Sequence, residues 1–330
     1  MRFLKKMTAT VLAVFLLAAP CFAAVDALIP GGEAVGLELE LTMPCIRSVE
    51  DGKPAAQAGL KAGDQILSVN AQTIRDLQEL AEMIGAGMPL IVSVRRGGKE
   101  MSYTVYPEKT EDGWRIGAEV TDRICGIGTV TYYDPSDNRF GALGHGVDLP
   151  ERAQPLPITG GTAAVAEVTS VEKSEPGEPG QLKGRCLGQT VGTVCGVTDS
   201  GVFGTFFGAS DREKRIPVAE SSQVHTGDAV IRCSLSGTQV REYSVRISEV
   251  YPQSENGRDL LLTVTDRELL SRTGGIVRGM SGSPIIQDGR LIGAVTHVLV
   301  DEPRKGYGIL VKKMLAAQNE TECRPTVPAA

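Results

Sequence analysis

At 330 residues the chain is too long for one typical domain and too short for three, so two domains behind a short leader are expected. Apolar residues make up 42% of it, enough for real cores, while 39 glycines and a single tryptophan indicate a turn-rich, β-dominated protein. A net charge of −6, a pI near 5.3 and the lack of any basic stripe argue against nucleic acid as a partner.

Residues 1–24 read as a targeting segment. Arg2, Lys5 and Lys6 form a basic start, residues 7–19 are apolar apart from Thr8 and Thr10, and Pro20 breaks the run. The apolar stretch is short for a bilayer span, which favours a cleaved signal peptide over an uncleaved anchor. No later stretch is apolar enough to span, so an exported protein is expected. Six cysteines follow the leader: Cys45, Cys125, Cys186, Cys195, Cys233 and Cys323. Their spacing fits no metal pattern, and they allow fifteen pairings among which the sequence does not choose. Scattered small core residues fit equally well.

Residues 35–106 read as one small domain. Gly36-Leu37-Glu38-Leu39-Glu40-Leu41 alternates with period two, the pattern of a half-buried strand. Pro54-Ala55-Ala56-Gln57-Ala58-Gly59-Leu60-Lys61-Ala62-Gly63-Asp64 gives a short helix and a glycine turn, followed by a strand through Val69. Residues 76–84 suit a helix stopped by Gly85, and residues 91–95 and 100–105 pair across Gly97-Gly98 as a hairpin. The Ala-Gly-Leu-Lys-Ala-Gly-Asp run resembles a PDZ domain in the circularly permuted order of bacterial proteases. That resemblance implies a peptide ligand bound by strand addition, with Gly36 and Leu37 in the loop that holds its carboxylate.

Residues 107–113 read as a linker to a second domain over 114–320. There short strands recur between glycine turns, at 126–131, 160–171, 186–197, 202–206, 229–233, 243–250, 260–264, 284–286 and 291–297. This spacing predicts a sandwich or barrel. Only 266–270 and 311–318 look helical. The charged, proline-rich segment 174–180 is expected to project into solvent.

The chemistry concentrates at Gly279-Met280-Ser281-Gly282-Ser283-Pro284. A serine nucleophile needs an exposed hydroxyl on a tight turn and backbone amides aimed at the oxyanion. Glycines on both sides of Ser281 permit that turn, with the amides of Gly279 and Ser281 as candidate donors. The base must be one of three histidines. His145 lies between glycines in Gly144-His145-Gly146, suited to an open cleft, whereas His225 follows a polar run and reads as a surface residue. His297, on the strand after the nucleophile, is a candidate specificity residue or a half-buried structural histidine. For the orienting carboxylate, Asp266 ends an apolar strand fifteen residues before Ser281, with Asp148, Asp199 and Asp228 as competitors. An α/β-hydrolase would instead require Gly-x-Ser-x-Gly with histidine last, and residue 283 is serine.

Gly-His-Gly, the Asp266-to-Ser281 spacing, the Ser281 turn and Ile292-Gly293-Ala294-Val295-Thr296-His297-Val298 together resemble the SpoIVB peptidase family. This is the stage IV sporulation protein B of endospore-forming Firmicutes. The resemblance implies a mostly β protein: a permuted PDZ domain followed by a chymotrypsin-like double β-barrel. It implies His145 as base, Asp266 as orienting acid and Ser281 as nucleophile, with no metal or cofactor. It further implies export into the forespore intermembrane space, self-cleavage, and cutting of a membrane-associated regulator of a sigma-factor-processing metalloprotease. A catalytically silent PDZ scaffold is the competing expectation, and the sequence leaves the oligomeric state open.

Overall fold

The structure is a computed structural model that describes residues 25–74, 76–147, 157–207, 214–254 and 256–323. The expected leader, residues 1–24, lies outside them. After β1 (Ala27–Pro30), the strand β2 (Ala34–Val49) buries Leu37, Leu39 and Leu41 and turns Glu38 and Glu40 outward, as its period-two pattern requires. It pairs on one edge with β9 (Ala118–Asp134) and on the other with β11 (Ile158–Glu172). From β9 the pairing runs through β10 (Arg139–Ala142), β13 (Gly201–Phe206) and β12 (Gln181–Thr198) back to β11. These six strands close a first barrel around Val35, Leu37, Leu39, Val130, Phe140 and Val194.

A second closed barrel follows in the order β15 (Gly227–Ser234), β16 (Val240–Val250), β17 (Leu260–Val264), β20 (Lys305–Leu310), β19 (Arg290–Val298), β18 (Pro284–Gln287). Ile231, Val245, Leu262, Ile285 and Val295 fill it. A short strand β14 (Ile216–Pro217) pairs with β1 and leads into it. The helix α4 (Val311–Glu320) returns to the first barrel, where Gln318 accepts from the buried Tyr132 hydroxyl at 3.0 Å. Arg139 donates to the Thr321 carbonyl, and a Cys195–Cys323 disulfide fixes the end of the chain to β12.

The PDZ unit comes between β2 and β9. It comprises α1 (Pro54–Ala58), β3 (Gln65–Val69), β4 (Gln72–Thr73), α2 (Leu77–Gly85), β5 (Leu90–Arg96) and β6 (Lys99–Val105) around Ile46, Leu60, Ile66, Leu80 and Val94. Its Gly59–Asp64 turn is pinned by the wholly buried Asp64. That carboxylate takes two 2.6 Å bonds from the Arg96 guanidinium and one of 2.9 Å from the Lys61 amide.

Three expectations need correction. The unit is an insertion and does not begin at residue 35: the first half of β2 is a barrel strand, and only its end, from Cys45, pairs into the PDZ sheet at Gln65. The supposed linker is a hairpin of β7 (Glu108–Thr110) and β8 (Gly113–Arg115), which lays Trp114 over Gly87 beyond α2. Segment 174–180 exposes residues 175–178 as expected, but it is fastened to the barrel rather than projecting freely. Ser174 is buried, its hydroxyl donates to the Ile276 carbonyl at 3.0 Å and accepts from the Gly180 amide at 2.8 Å, and Gly177 bonds to Val300.

Candidate active site

Ser281 sits on the turn that precedes β18, between Gly279 and Gly282, both at φ +95°. Thr129 on β9 of the first barrel clamps this turn from both sides. Its hydroxyl donates to the Gly279 carbonyl at 2.8 Å and its amide to the Ser281 carbonyl at 3.1 Å. With both carbonyls drawn toward β9, the amides of Gly279 and Ser281 make no backbone hydrogen bond among the described residues. That is the condition an oxyanion site requires. Gly282 is needed for space as well as for its φ, since a Cβ there would collide with the Thr129 carbonyl and the Leu143 amide.

His145 follows a left-handed pair, Leu143 at φ +68° and Gly144 at φ +70°, just beyond β10. A non-glycine residue in that region is uncommon and costs strain, and here it turns the chain so that the imidazole enters the cleft. His145 Nδ1 lies 2.6 Å from the Gly146 carbonyl. A carbonyl only accepts, so Nδ1 carries a proton; in the neutral ring Nε2 is then an acceptor, the tautomer a general base needs. His145, Gly279, Ser281 and Arg278 share one cleft between the barrels with apolar Leu37, Ile127 and Leu143.

His297 is drawn to the same place. Its ring centroid is 5.1 Å from that of His145. It occupies a bulge of β19, where the register with β20 slips between Val295 and Val298. Although the residue remains accessible, desolvation of the ring lowers its pKa to about 4, with repulsion from His145 and Arg258 adding to the effect. His225 is at the surface, 2.9 Å from Asp288.

Asp266 is not among the residues lining the cleft. It caps α3 (Arg267–Thr273), accepting from the Leu269 amide at 2.9 Å, and also accepts from the Ser244 amide of β16 at 3.4 Å. In this structure Asp266 fastens a helix to the second barrel, while the Gly146 carbonyl lies against the imidazole Nδ1. Asp228 pairs with Arg246 at 3.0 Å on the surface, and Asp148 lies outside the described residues. Asp199 is exposed on the β12–β13 turn, two residues before Gly201, where a Cβ would collide with the Ala142 carbonyl at 2.8 Å.

Gly36 and Leu37 also need correction as a carboxylate loop. Both lie in β2, paired on one side to Ile127 and Gly126 and on the other to Ala164 and Ala163. A strand bonded along both edges cannot accept a third. The open edge is at the start of β9, where residues 118–121 pair only with β2 among the described residues. A groove beside it is lined by Ala81 and Ile84 of α2 and by Trp114, Ile116, Gly117 and Ala118. The signal for it was Ile116-Gly117-Ala118, where glycine at φ +69° opens an alternating run.

The family model for SpoIVB peptidase S55 matches residues 112–315, and a PDZ domain model matches 45–96. Zinc metalloprotease RasP of Geobacillus kaustophilus is 39% identical over 77 residues, which is 22% of this chain and 18% of that protein. Mitochondrial serine protease HTRA2 of Bos taurus is 32% identical over 83 residues, with the same shares. The chain spans less than a third of the length of these curated relatives. Among solved structures, the active form of the Rv3671c protease of M. tuberculosis aligns over 62% of this chain and 77% of that one, at 15% identity and a TM-score of 0.39.

Proposed function

The chain belongs to the SpoIVB peptidase S55 family, and we propose that it is a serine endopeptidase with Ser281 as its nucleophile and His145 as its base. In this mechanism the Ser281 oxygen attacks the substrate carbonyl while His145 Nε2 takes the hydroxyl proton. The amides of Gly279 and Ser281 hold the oxyanion. The proton then passes from His145 to the leaving amine, and water repeats the sequence on the acyl-enzyme. The observation that supports this assignment is the Thr129 clamp, which leaves the Gly279 and Ser281 amides without backbone partners among the described residues, in a cleft that Ser281 and His145 both line.

We propose further that the protein acts after export, cleaves itself, and cuts a membrane-associated regulator in sporulation signalling. The Cys195–Cys323 disulfide supports export, because such bonds persist in oxidising compartments. The PDZ groove at Ile116–Ala118 takes an extended peptide as an added strand.

The test is self-processing of the chain from residue 25 onward, followed by gel and mass spectrometry beside Ser281→Ala and His145→Ala. Wild type should fragment while both variants stay whole. A fragment pattern that persists in Ser281→Ala removes that serine from the mechanism.

A further inference from the structure

The cleft carries positive charge that nothing in the catalytic cycle uses. Arg258 lies two residues before β17 and holds its guanidinium 5.1 Å from the centroid of the Tyr307 ring. Tyr307 stands on β20 opposite the β19 bulge that presents His297, between the pairs Val295↔Gly308 and Val298↔Gly306. Gly257, the residue before Arg258, lies near the His145 loop: a Cβ placed on it would be 4.0 Å from the Gly144 carbonyl, and its own carbonyl accepts from Thr296 Oγ1 at 3.4 Å. Arg258 thus belongs to the immediate surroundings of His145 and His297.

Its charge is not neutralised. The adjacent carboxylate, Asp259, is wholly buried and turned inward, where it accepts from the Leu310 amide at 2.9 Å and pairs with Lys313 at 2.5 Å. No carboxylate pairs with Arg258 among the described residues. Its field reaches His297, whose protonation it opposes. Arg278, which lines the cleft beside Ser281 and His145, also lacks an ion pair among the described residues. An exposed guanidinium oriented over an aromatic ring and free of carboxylates presents its N–H groups to a carboxylate.

We propose that Arg258 is a specificity residue, which binds an acidic side chain of the peptide substrate beside His297 and so selects substrates with Asp or Glu near the scissile bond. The proposal rests on the peptidase assignment for its substrate, but it concerns recognition and can be tested without turnover. Peptide libraries in which one position at a time is Glu or Gln are offered to the full chain, and relative kcat/KM is read by mass spectrometry. In parallel, retention of the same libraries is measured on the full chain carrying Ser281→Ala.

One position should prefer Glu over Gln by roughly tenfold, the discrimination of one charge-assisted hydrogen bond. That preference should fall to near parity in Arg258→Gln and return in part in Arg258→Lys, with melting temperatures unchanged. No Glu preference at any position, or one that survives Arg258→Gln, overturns the proposal. If wild type cleaves nothing, the peptidase assignment fails, and retention on Ser281→Ala still decides the role of Arg258.

Discussion

The Ser281 hydroxyl donates to the Thr296 carbonyl at 2.7 Å, so in the resting chain its proton is held by β19. Thr296 lies in the β19 bulge, where the slip in register leaves its backbone outside the β19–β20 ladder. An extended substrate laid along this bulge offers an amide N–H to the same oxygen and releases the hydroxyl toward His145. Binding energy from backbone remote from the scissile bond would then appear in the chemical step. In a series of peptide anilides of increasing length, kcat should rise by roughly tenfold when the amide facing Thr296 is added, the equivalent of about one hydrogen bond, with a smaller change in KM.

Asp266 gives a second prediction, because its cap and its charge can be separated. Asn serves as an N-cap about as well as Asp, whereas Ala does not. Chemical denaturation should show Asp266→Ala less stable by about 1 kcal/mol and Asp266→Asn close to wild type. Turnover by the Asn variant then measures any electrostatic reach to the imidazole. A fall of the order of 10⁴ would place the carboxylate in the triad despite its bond to Leu269, and a change of a few-fold would leave capping as its role.

The Arg96–Asp64 pair provides a stability test of the PDZ unit. Asp64 is wholly buried, and Arg96 also donates to the Gly59 carbonyl at 2.8 Å, so the pair closes the turn that the Ala-Gly-Leu-Lys-Ala-Gly-Asp run encodes. Arg96→Ala leaves a buried carboxylate with the Lys61 amide as its remaining partner among the described residues. A loss of about 3–5 kcal/mol is expected, read by denaturant melts of the whole chain.

How far the sequence revealed this molecule can be judged from particular elements. The strand 260–264 and the helix starting at Val311 were legible because their apolar periodicity is local. The Ser281 turn was legible because its glycines are contiguous with the nucleophile. The dual role of β2 was not, since a period-two strand carries no mark of where it changes partner, and β9 lies some eighty residues away. The segment 174–180 is exposed over 175–178 as its polarity indicates, but its anchoring was not legible, since the Ser174 hydroxyl donates to Ile276, a hundred positions distant. The cap formed by Asp266 was legible in principle, as an aspartate immediately before a helix.

The Cys195–Cys323 disulfide ties the end of α4 to β12 across 128 residues of chain. It reinforces the Arg139 bonds to the Gln318 and Thr321 carbonyls at the same junction. Cross-linking such distant positions restricts the unfolded chain, and removing the bond should cost about 2–4 kcal/mol. Cys323→Ser and reduction of the wild type should lower the melting temperature by similar amounts, and reduction should have no further effect on the variant.

His297 makes the acid limb of stability predictable in direction. Its folded pKa of about 4 lies below the ordinary histidine value of 6.5, so the unfolded chain binds the proton more readily than the native one. The contribution is therefore fully present above pH 6.5, declines as the pH falls from 6.5 toward 4, and changes little below that. His225 at the surface works in the opposite sense, since the Thr226 carbonyl and Asp288 raise its pKa. Melting temperatures of wild type and His297→Gln should run parallel above pH 7 and converge or cross toward pH 4, because the variant lacks the group whose protonation favours unfolding. Parallel curves over the whole range would show that His297 takes up its proton as easily in the folded cleft as in the unfolded chain, contrary to its position between His145 and Arg258.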